Sequence, residues 1–327
     1  MTDRDAYLTF RKRLSHPGAA REACLGFFAE DAEINIVHPF NSLDREGFAT
    51  LLETALEDIH RREDIAMSGS FEGGEWISAT GYYAGRFTAP WLDLSPTGEL
   101  AYLRYGEFHR MEGGRAKESY IFLDLPEFMQ AAGQWPIAFG PGETAGFRGR
   151  LPGPATQDGL TFPRDMARGA ENAEFVTDML RALNTPDEAW RPYWHPNMAW
   201  YGPGAFGSFI GVEAFRSFQV PFEGQFEGWS GGAAGNGYTS HFARFGDGNY
   251  VCSGGWPSVT GTNIKPFLGQ PASNERVFMR VCDWWRREGD LLVENWVFVD
   301  VPHVLLQLGF DVFAKNSELA ASGGHSR

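Results

Sequence analysis

Asp283 is the residue of this chain best placed to do chemistry. It lies in the stretch 276–287, Arg-Val-Phe-Met-Arg-Val-Cys-Asp-Trp-Trp-Arg-Arg, which reads as a strand. Alternation along a strand puts Asp283 on one face with Met279, Val281 and Trp285, and puts Phe278, Arg280, Cys282 and Trp284 on the other. A carboxyl among apolar and aromatic neighbours loses hydration, and that raises its pKa. A carboxyl with a pKa near neutrality can take a proton and return it. The alternative is a strand carboxylate that faces water or pairs with an arginine. His241 precedes Phe242-Ala243-Arg244-Phe245 on a second expected strand and could supply an imidazole to the same chemistry. It could equally serve as a hydrogen-bond partner within the frame.

Other chemistries lack their residues. His38-Pro39 and His195-Pro196 are not metal patterns, and no HExxH, CxxC or two-histidine-one-carboxylate spacing occurs, so no metal is expected. The glycines do not form a phosphate loop between a strand and a helix, and there is no GxSxG nucleophile elbow. No cofactor is expected.

The elements that must position Asp283 occur twice. Shifted by 176 residues, the stretch 85–133 falls on 261–309 without a gap, and 13 of the 49 positions are identical. Ordinary composition would give roughly three. The identities include Arg104/Arg280, Gly113/Gly289, Glu118/Glu294, Asp124/Asp300, Pro126/Pro302 and Gly133/Gly309. A period of this length is a whole domain rather than a solenoid unit. Glu107 is the first-copy counterpart of Asp283, flanked by Tyr105 and His109.

Each copy reads as helices followed by strands. Helices are expected at about 4–14, 19–29, 170–183 and 186–194, and a third in each copy opens near Asp44 or Val212. A short strand is expected at 32–37 and at 198–201. The remaining strands are expected at 64–72, 75–87, 99–111 and 115–124, with counterparts at 238–246, 249–260, 275–287 and 291–299. This order indicates an α+β domain with helices packed on one face of a bent sheet. The expected boundaries are a first domain at 1–138, a Gly/Pro-rich linker at 139–165, a second domain at 166–315 and a disordered tail at 316–327.

The formal net charge of −14, with no Lys/Arg run, argues against nucleic acid and against an anionic membrane surface as partners. Three cysteines without a pairing pattern suit a reducing compartment. With a charged N-terminal stretch and no long apolar run, a soluble cytoplasmic protein is the expectation.

Together these stretches resemble a known family. In the second copy the carrying residues are His195-Pro196-Asn197-Met198-Ala199-Trp200-Tyr201-Gly202-Pro203-Gly204 and Ile210-Gly211-Val212-Glu213-Ala214-Phe215. Further on stand Gly261-Thr262-Asn263, Pro266-Phe267-Leu268-Gly269, the Asp283 strand and Glu294-Asn295-Trp296. The chain resembles the SnoaL-like polyketide cyclases of the nuclear transport factor 2-like superfamily, in tandem. The resemblance implies two cone-shaped α+β barrels, each a curved antiparallel sheet wrapped around helices with a pocket inside. It also implies cofactor-free acid/base chemistry on a small apolar or aromatic molecule: an aldol-type cyclisation, an isomerisation or a hydrolysis. Asp283 is the nearest match to the family's catalytic aspartate, with His241 as second catalytic candidate. Tyr201, Trp256, Asn263, Trp285 and Trp296 are the expected lining, and Glu107 and His109 are the first-domain equivalents. Asn263 stands where the family often has histidine, and Phe87 takes that register in copy one, so copy two is the expected functional copy. A non-catalytic binding or structural protein of the same fold is the alternative. Such domains commonly pair through their sheets, so an intramolecular pseudo-dimer is expected, with a further homo-oligomer open.

Overall fold

The structure is a computed structural model and describes residues 2–14, 16, 18–55, 57–137, 165–183, 187–231 and 240–322. The expected linker falls almost wholly outside these. The chain divides into two units, which in the main hold Met1–Trp135 with the segment from Phe313, and Arg164–Val312. No described helix is long and apolar enough to cross a membrane.

The first unit opens with α1 (Asp3–Leu14) and α2 (Ala20–Phe27), then β1 (Phe28–Ile36), β2 (Asn41–Leu43) and α3 (Arg45–Ala55). Thr2 and Asp5 cap α1 reciprocally, Asp5 N–H donating to Thr2 Oγ1 and Thr2 N–H to Asp5 Oδ2, both at 3.1 Å. Four long strands follow: β3 (Glu57–Phe71), β4 (Gly74–Arg86), β5 (Leu100–Glu112) and β6 (Arg115–Leu123), with α4 (Leu125–Ala131) after them. The sheet order is β2-β1-β6-β5-β4-β3. It is antiparallel except where β1 meets β6, which run parallel, Ile34 opposite Ser119. The sheet is therefore mixed, because the chain must cross the helical layer before its last strand returns beside its first.

The second unit repeats this plan with α5 (Met166–Leu183), β7 (Trp194–Tyr201), β8 (Phe209–Ile210), α6 (Val212–Glu223), β9 (Phe226–Gly231), β10 (His241–Asp247), β11 (Tyr250–Asn263), β12 (Arg276–Glu288), β13 (Leu291–Val299) and α7 (Val301–Gln307). Strands β7 and β13 form the matching parallel pair, with Trp200 opposite Asn295. The α-helix expected at 186–194 is not formed in its described part. Residues 191–193 make one tight 3-10 turn there, since Pro192 can donate no helical bond. Likewise α8 (Val312–Ala321) occupies part of the expected disordered tail, and Ser317 Oγ donates to Asp93 Oδ2 at 3.1 Å.

The identities between the copies are mostly parts of this frame. Asp124 and Asp300 cap α4 and α7 by accepting from Glu127 N–H (3.1 Å) and His303 N–H (3.2 Å). Each also takes an arginine from the neighbouring strand, Arg104 at 3.2 Å and Arg280 at 3.0 Å. Gly113 and Gly289 turn the β5–β6 and β12–β13 hairpins at φ of 58° and 55°, where only glycine is unstrained.

Candidate functional site

The second unit encloses a cavity of about 130 Å³ between its helices and the concave face of its sheet. An apolar cavity of ~150 Å³ holds a benzene molecule, so this space suits one small ring or more with modest opening. Strand alternation supplies one wall: Met279, Val281, Asp283 and Trp285 from β12, with Asn295, Val297 and Val299 from β13. Helix α6 supplies another, presenting Phe215, Phe218, Gln219 and Phe222 at helical spacing. Trp194 and Trp200 from β7 and Leu183 from α5 help close the space. Among the described residues no lysine or arginine lines it.

Among the described residues Asp283 is the one carboxylate in this wall. Burial pushes its carboxyl up to about 7, against a smaller pull downward from the Asn295 amide. That amide contact is long, 3.4 Å from Asn295 Nδ2 to Asp283 Oδ1, because the same Nδ2 also donates to Trp284 O at 3.0 Å. Across the sheet, Asp283 stands in register with Ser253 of β11. Ser253 Oγ meets one ring nitrogen of His241, and Ser258 Oγ lies 3.1 Å from the other, Nε2. Ser258 reaches His241 through a bulge in β11, and Gly255 makes room for it: a Cβ there would come within 2.5 Å of Ser258 Cα. Burial, with the charge of Arg244 second, pushes His241 down to about 3. His241 is thus neutral at physiological pH, with both nitrogens engaged. A second carboxyl near neutrality, Glu223, is likewise pushed up to about 7 by burial. It accepts from Gln219 Nε2 at 2.6 Å, which ties it to the cavity wall.

Of the expected site residues, Asp283, His241 and Trp285 line this cavity together. Tyr201, Trp256, Asn263 and Trp296 do not. Tyr201 and Trp296 stack on each other with ring centroids 4.9 Å apart, and the Tyr201 hydroxyl donates to Glu294 at 2.6 Å. Both are one residue out of phase with the inward positions Trp200 and Asn295, so the pleat sends them to the other face. Trp256 lies under the Arg280 guanidinium at 4.3 Å. Asn263 is buried at the end of β11, its side chain donating to Lys265 O at 2.8 Å and accepting from Ser273 N–H at 2.9 Å in the loop that follows. Sequence reading missed Trp194, Trp200, Gln219, Ser253, Ser258 and Asn295. Strand parity carried forward from Asp283 points to Asn295; the helix and β7 residues depend on packing angles that no local pattern encodes.

The first unit fills the same space with its own side chains. Registers match the two sheets on the near side of the β11 bulge: Arg61 pairs with Tyr83 as Gly231 pairs with Val259, and Tyr83 with Leu103 as Val259 with Met279, while β5 and β12 align without a gap. Hence Arg61, Tyr83, Tyr105 and Glu107 stand where the second unit has Gly231, Val259, Val281 and Asp283. Arg61 donates to the Tyr83 hydroxyl at 2.7 Å, the Tyr7 hydroxyl at 2.8 Å and Glu107 Oε2 at 3.2 Å. Its guanidinium lies 4.1 Å from the Tyr105 ring. Burial, the largest single influence, acts to raise Glu107, but the charges and hydrogen bonds of Arg61 and His109 together outweigh it and hold the carboxyl down at about 2. His109 Nε2 is 3.5 Å from Glu107, and its other nitrogen is 2.9 Å from Ser119 Oγ. One position of the fold therefore carries an ionised carboxylate clamped by arginine in one copy and an unclamped, near-neutral carboxyl in the other.

Known structures with similar shape are about the length of one unit. AclR from Streptomyces galilaeus, a candidate hydroxylase, is 18% identical and covers 44% of this chain and 98% of its own, with a TM-score of 0.37. A candidate SnoaL-like polyketide cyclase from Jannaschia sp. CCS1 is 17% identical over 47% of this chain and 99% of its own, also with a TM-score of 0.37. IdmH from Streptomyces antibioticus, a candidate polyketide cyclase, is 17% identical over 40% and 98%, at 0.32. The chain is similar in structure to SnoaL-like polyketide cyclases. No family model matches it, and neither does any curated protein. At these identities the likeness extends to the fold alone. Among the described residues no group of three or more His, Cys, Asp or Glu side chains is placed to hold a metal ion.

Proposed function

We propose that the second unit is a small-molecule enzyme in which Asp283 moves a proton on a carbonyl compound without a cofactor. The observation that supports this is the Asp283 carboxyl itself, set in an aromatic cavity with no cation among the described residues of its wall and pushed up by burial to about 7. As carboxylate, it takes a proton from the carbon beside the carbonyl. The C–H electron pair moves into the new C=C bond, and the carbonyl π pair moves to oxygen. Returning the proton to another carbon completes an isomerisation. Attack of the enolate carbon on a second carbonyl of the same molecule makes a ring, as in an aldol-type cyclisation, and the alkoxide oxygen so formed takes the proton back from Asp283. Hydrolysis would use the same carboxylate as base towards a water molecule. His241, neutral and held by two serines, acts as a polar positioning group in this scheme and transfers no proton.

The same state of His241 favours a second reading, a binding protein without turnover, because it leaves the cavity wall with a single proton carrier. Deuterium exchange separates the two. Acetophenone fits the cavity's scale and has exchangeable protons beside its carbonyl. The full chain in D2O is expected to exchange them at a rate that rises with pH through about 7. Asp283→Asn, still folded, is expected to lose on the order of a hundredfold or more of that rate. Binding without exchange supports the binder, and equal exchange by the variant refutes the role of Asp283.

A further inference from the structure

Ser258 lies in a bulge that the first unit lacks. Residues 256–258 stand between Gly255 and Val259, whereas Tyr82 alone stands between Gly81 and Tyr83. Gly255 pairs with Val281, a residue of the cavity wall, so a Cβ on Gly255 would point to the concave side of the sheet. That Cβ would come within 2.5 Å of Ser258 Cα and 2.7 Å of Ser258 Cβ. Ser258 therefore takes the concave place that Gly255 leaves empty, and it lines the cavity together with His241. Its partners are also peculiar to the second unit. His241 pairs with Gly255 as Glu63 pairs with Gly81, and Ser253 with Asp283 as Ala79 with Glu107. The copy with a filled interior thus has no counterpart of the trio Ser253, His241 and Ser258.

The hydrogen bonds of this trio fix the direction of its protons. Neutral imidazole carries one N–H, so one ring nitrogen of His241 donates and the other accepts. Ser253 is 1% exposed, and among the described residues its hydroxyl has one partner, His241 Nδ1. Were Ser253 only to accept from Nδ1, its own O–H would be left buried and unpaired, which is costly. Ser253 O–H therefore donates to Nδ1, and Nε2–H donates to Ser258 Oγ at 3.1 Å. The Ser258 O–H is then without an acceptor among the described residues, on a side chain of the cavity wall. Gly255, beneath it, and Asp283 are diagonal neighbours on β11 and β12, a separation of about 7–8 Å. A ketone spans such a gap with its oxygen on the serine and its neighbouring C–H towards the carboxylate.

We infer that the Ser258 hydroxyl donates a hydrogen bond to the ligand's carbonyl oxygen and stabilises the negative charge that gathers there as Asp283 removes the neighbouring proton. The serine keeps its own proton throughout. His241 is the positioning residue: by donating to Ser258 Oγ it leaves the Ser258 O–H free for the ligand. This rests on the proton-transfer role proposed above for Asp283.

The test uses the full chain with acetophenone, and with ethylbenzene as a probe of similar shape that has no carbonyl. Ser258→Ala is expected to slow deuterium exchange of saturating acetophenone by about tenfold to a hundredfold, because one donor is lost from a developing oxyanion. The dissociation constant of acetophenone should rise by no more than about threefold, since the ground-state carbonyl is bonded less strongly. Ethylbenzene should bind the variant within about twofold of the parent, which reports that the variant is folded. With the carbonyl carbon labelled as 13C, the bound ketone should resonate further downfield in the parent than in Ser258→Ala, whether or not exchange occurs. With 15N-labelled histidine, His241, assigned by the loss of its signals in His241→Gln, should be protonated at Nε2 and bare at Nδ1. The opposite tautomer, an equal exchange rate in Ser258→Ala, a carbonyl resonance that is the same in both proteins, or no binding of acetophenone by the parent overturns the inference. Exchange lost in Asp283→Asn and kept in Ser258→Ala would leave the proton-transfer role standing and remove the donor alone. A carbonyl resonance that depends on Ser258 in a parent chain without exchange would do the reverse.

Discussion

Replacing Asp283 with asparagine should stabilise the second unit at neutral and alkaline pH, and the size of the effect follows from its environment. In the folded chain the carboxyl sits at about 7, against 3.8 for an unperturbed aspartate. A pKa raised on folding means that the native state holds the proton more tightly than the unfolded chain does. The contribution of Asp283 to stability is therefore greatest below pH 4, falls as pH rises towards 7, and levels off above it. At about 1.36 kcal/mol per pKa unit, the ceiling on this loss is about 4 kcal/mol. Asparagine keeps the shape and the amide contact with Asn295 but cannot ionise, so its profile should lack this slope. The two proteins should be equally stable at pH 4 and diverge in favour of the variant up to pH 8. Urea denaturation across that range, followed by tryptophan fluorescence, reads the second unit, where most of the tryptophans lie. Parallel pH profiles, or a variant weaker than wild type at pH 8, would refute the account of Asp283 as an unclamped buried acid.

In the first unit the same kind of change should act in the opposite sense. Glu107→Gln removes one of the two carboxylates paired with the buried Arg61, leaving Glu63 at 3.1 Å, and is expected to cost up to about 3 kcal/mol at neutral pH. Because the Glu107 pKa is depressed, its contribution is present above about 4.5 and lost as pH falls through about 2, so the penalty read by denaturant should shrink in acid. Val281→Tyr gives the second unit the residue that fills the first, so binding of acetophenone, read by titration, should disappear while the far-ultraviolet circular dichroism persists. Gly169→Ala should lower the melting temperature by several degrees despite alanine's higher helix propensity: its Cβ would come within 2.4 Å of Gly246 O, where α5 touches β10 backbone to backbone.

The frame was far more legible in the sequence than the site. The internal repeat located both sheets, and period-two alternation sent Asp283 and Trp285 inward, because a pleated strand leaves a side chain only two directions. The same rule was lost at Tyr201 and Trp296, where nothing local says which parity faces the helices. Asn263 looked like a pocket residue by family position, yet its side-chain amide holds the loop that follows β11. The aromatic wall of α6 reads as ordinary helical core spacing, and only the tertiary structure shows that Phe215, Phe218 and Phe222 face open space. Most telling is Gly231. Its importance lies in the arginine that it is not, and that comparison needs the registers of both sheets. Among the positions that the shift keeps identical, Arg104/Arg280, Asp124/Asp300 and Gly113/Gly289 are caps and turns, while the residues deciding the chemistry are those by which the copies differ.

The parallel pairing of β1 with β6 and of β7 with β13 also governs how each unit can be born. The long strand neighbouring β1 arrives from the far end of its unit, since Ile34 meets Ser119, and Trp200 must wait for Asn295. As the chain leaves the ribosome, neither sheet can be completed until its last strand is out, and until then β1 or β7 presents an unsatisfied edge. Contacts so distant along the chain make folding slow, and open edges invite association with other chains. A nascent chain or fragment that ends before residue 115, or one that starts at 165 and stops before 291, is thus expected to be prone to aggregation, whereas a break between the two units would leave each sheet whole.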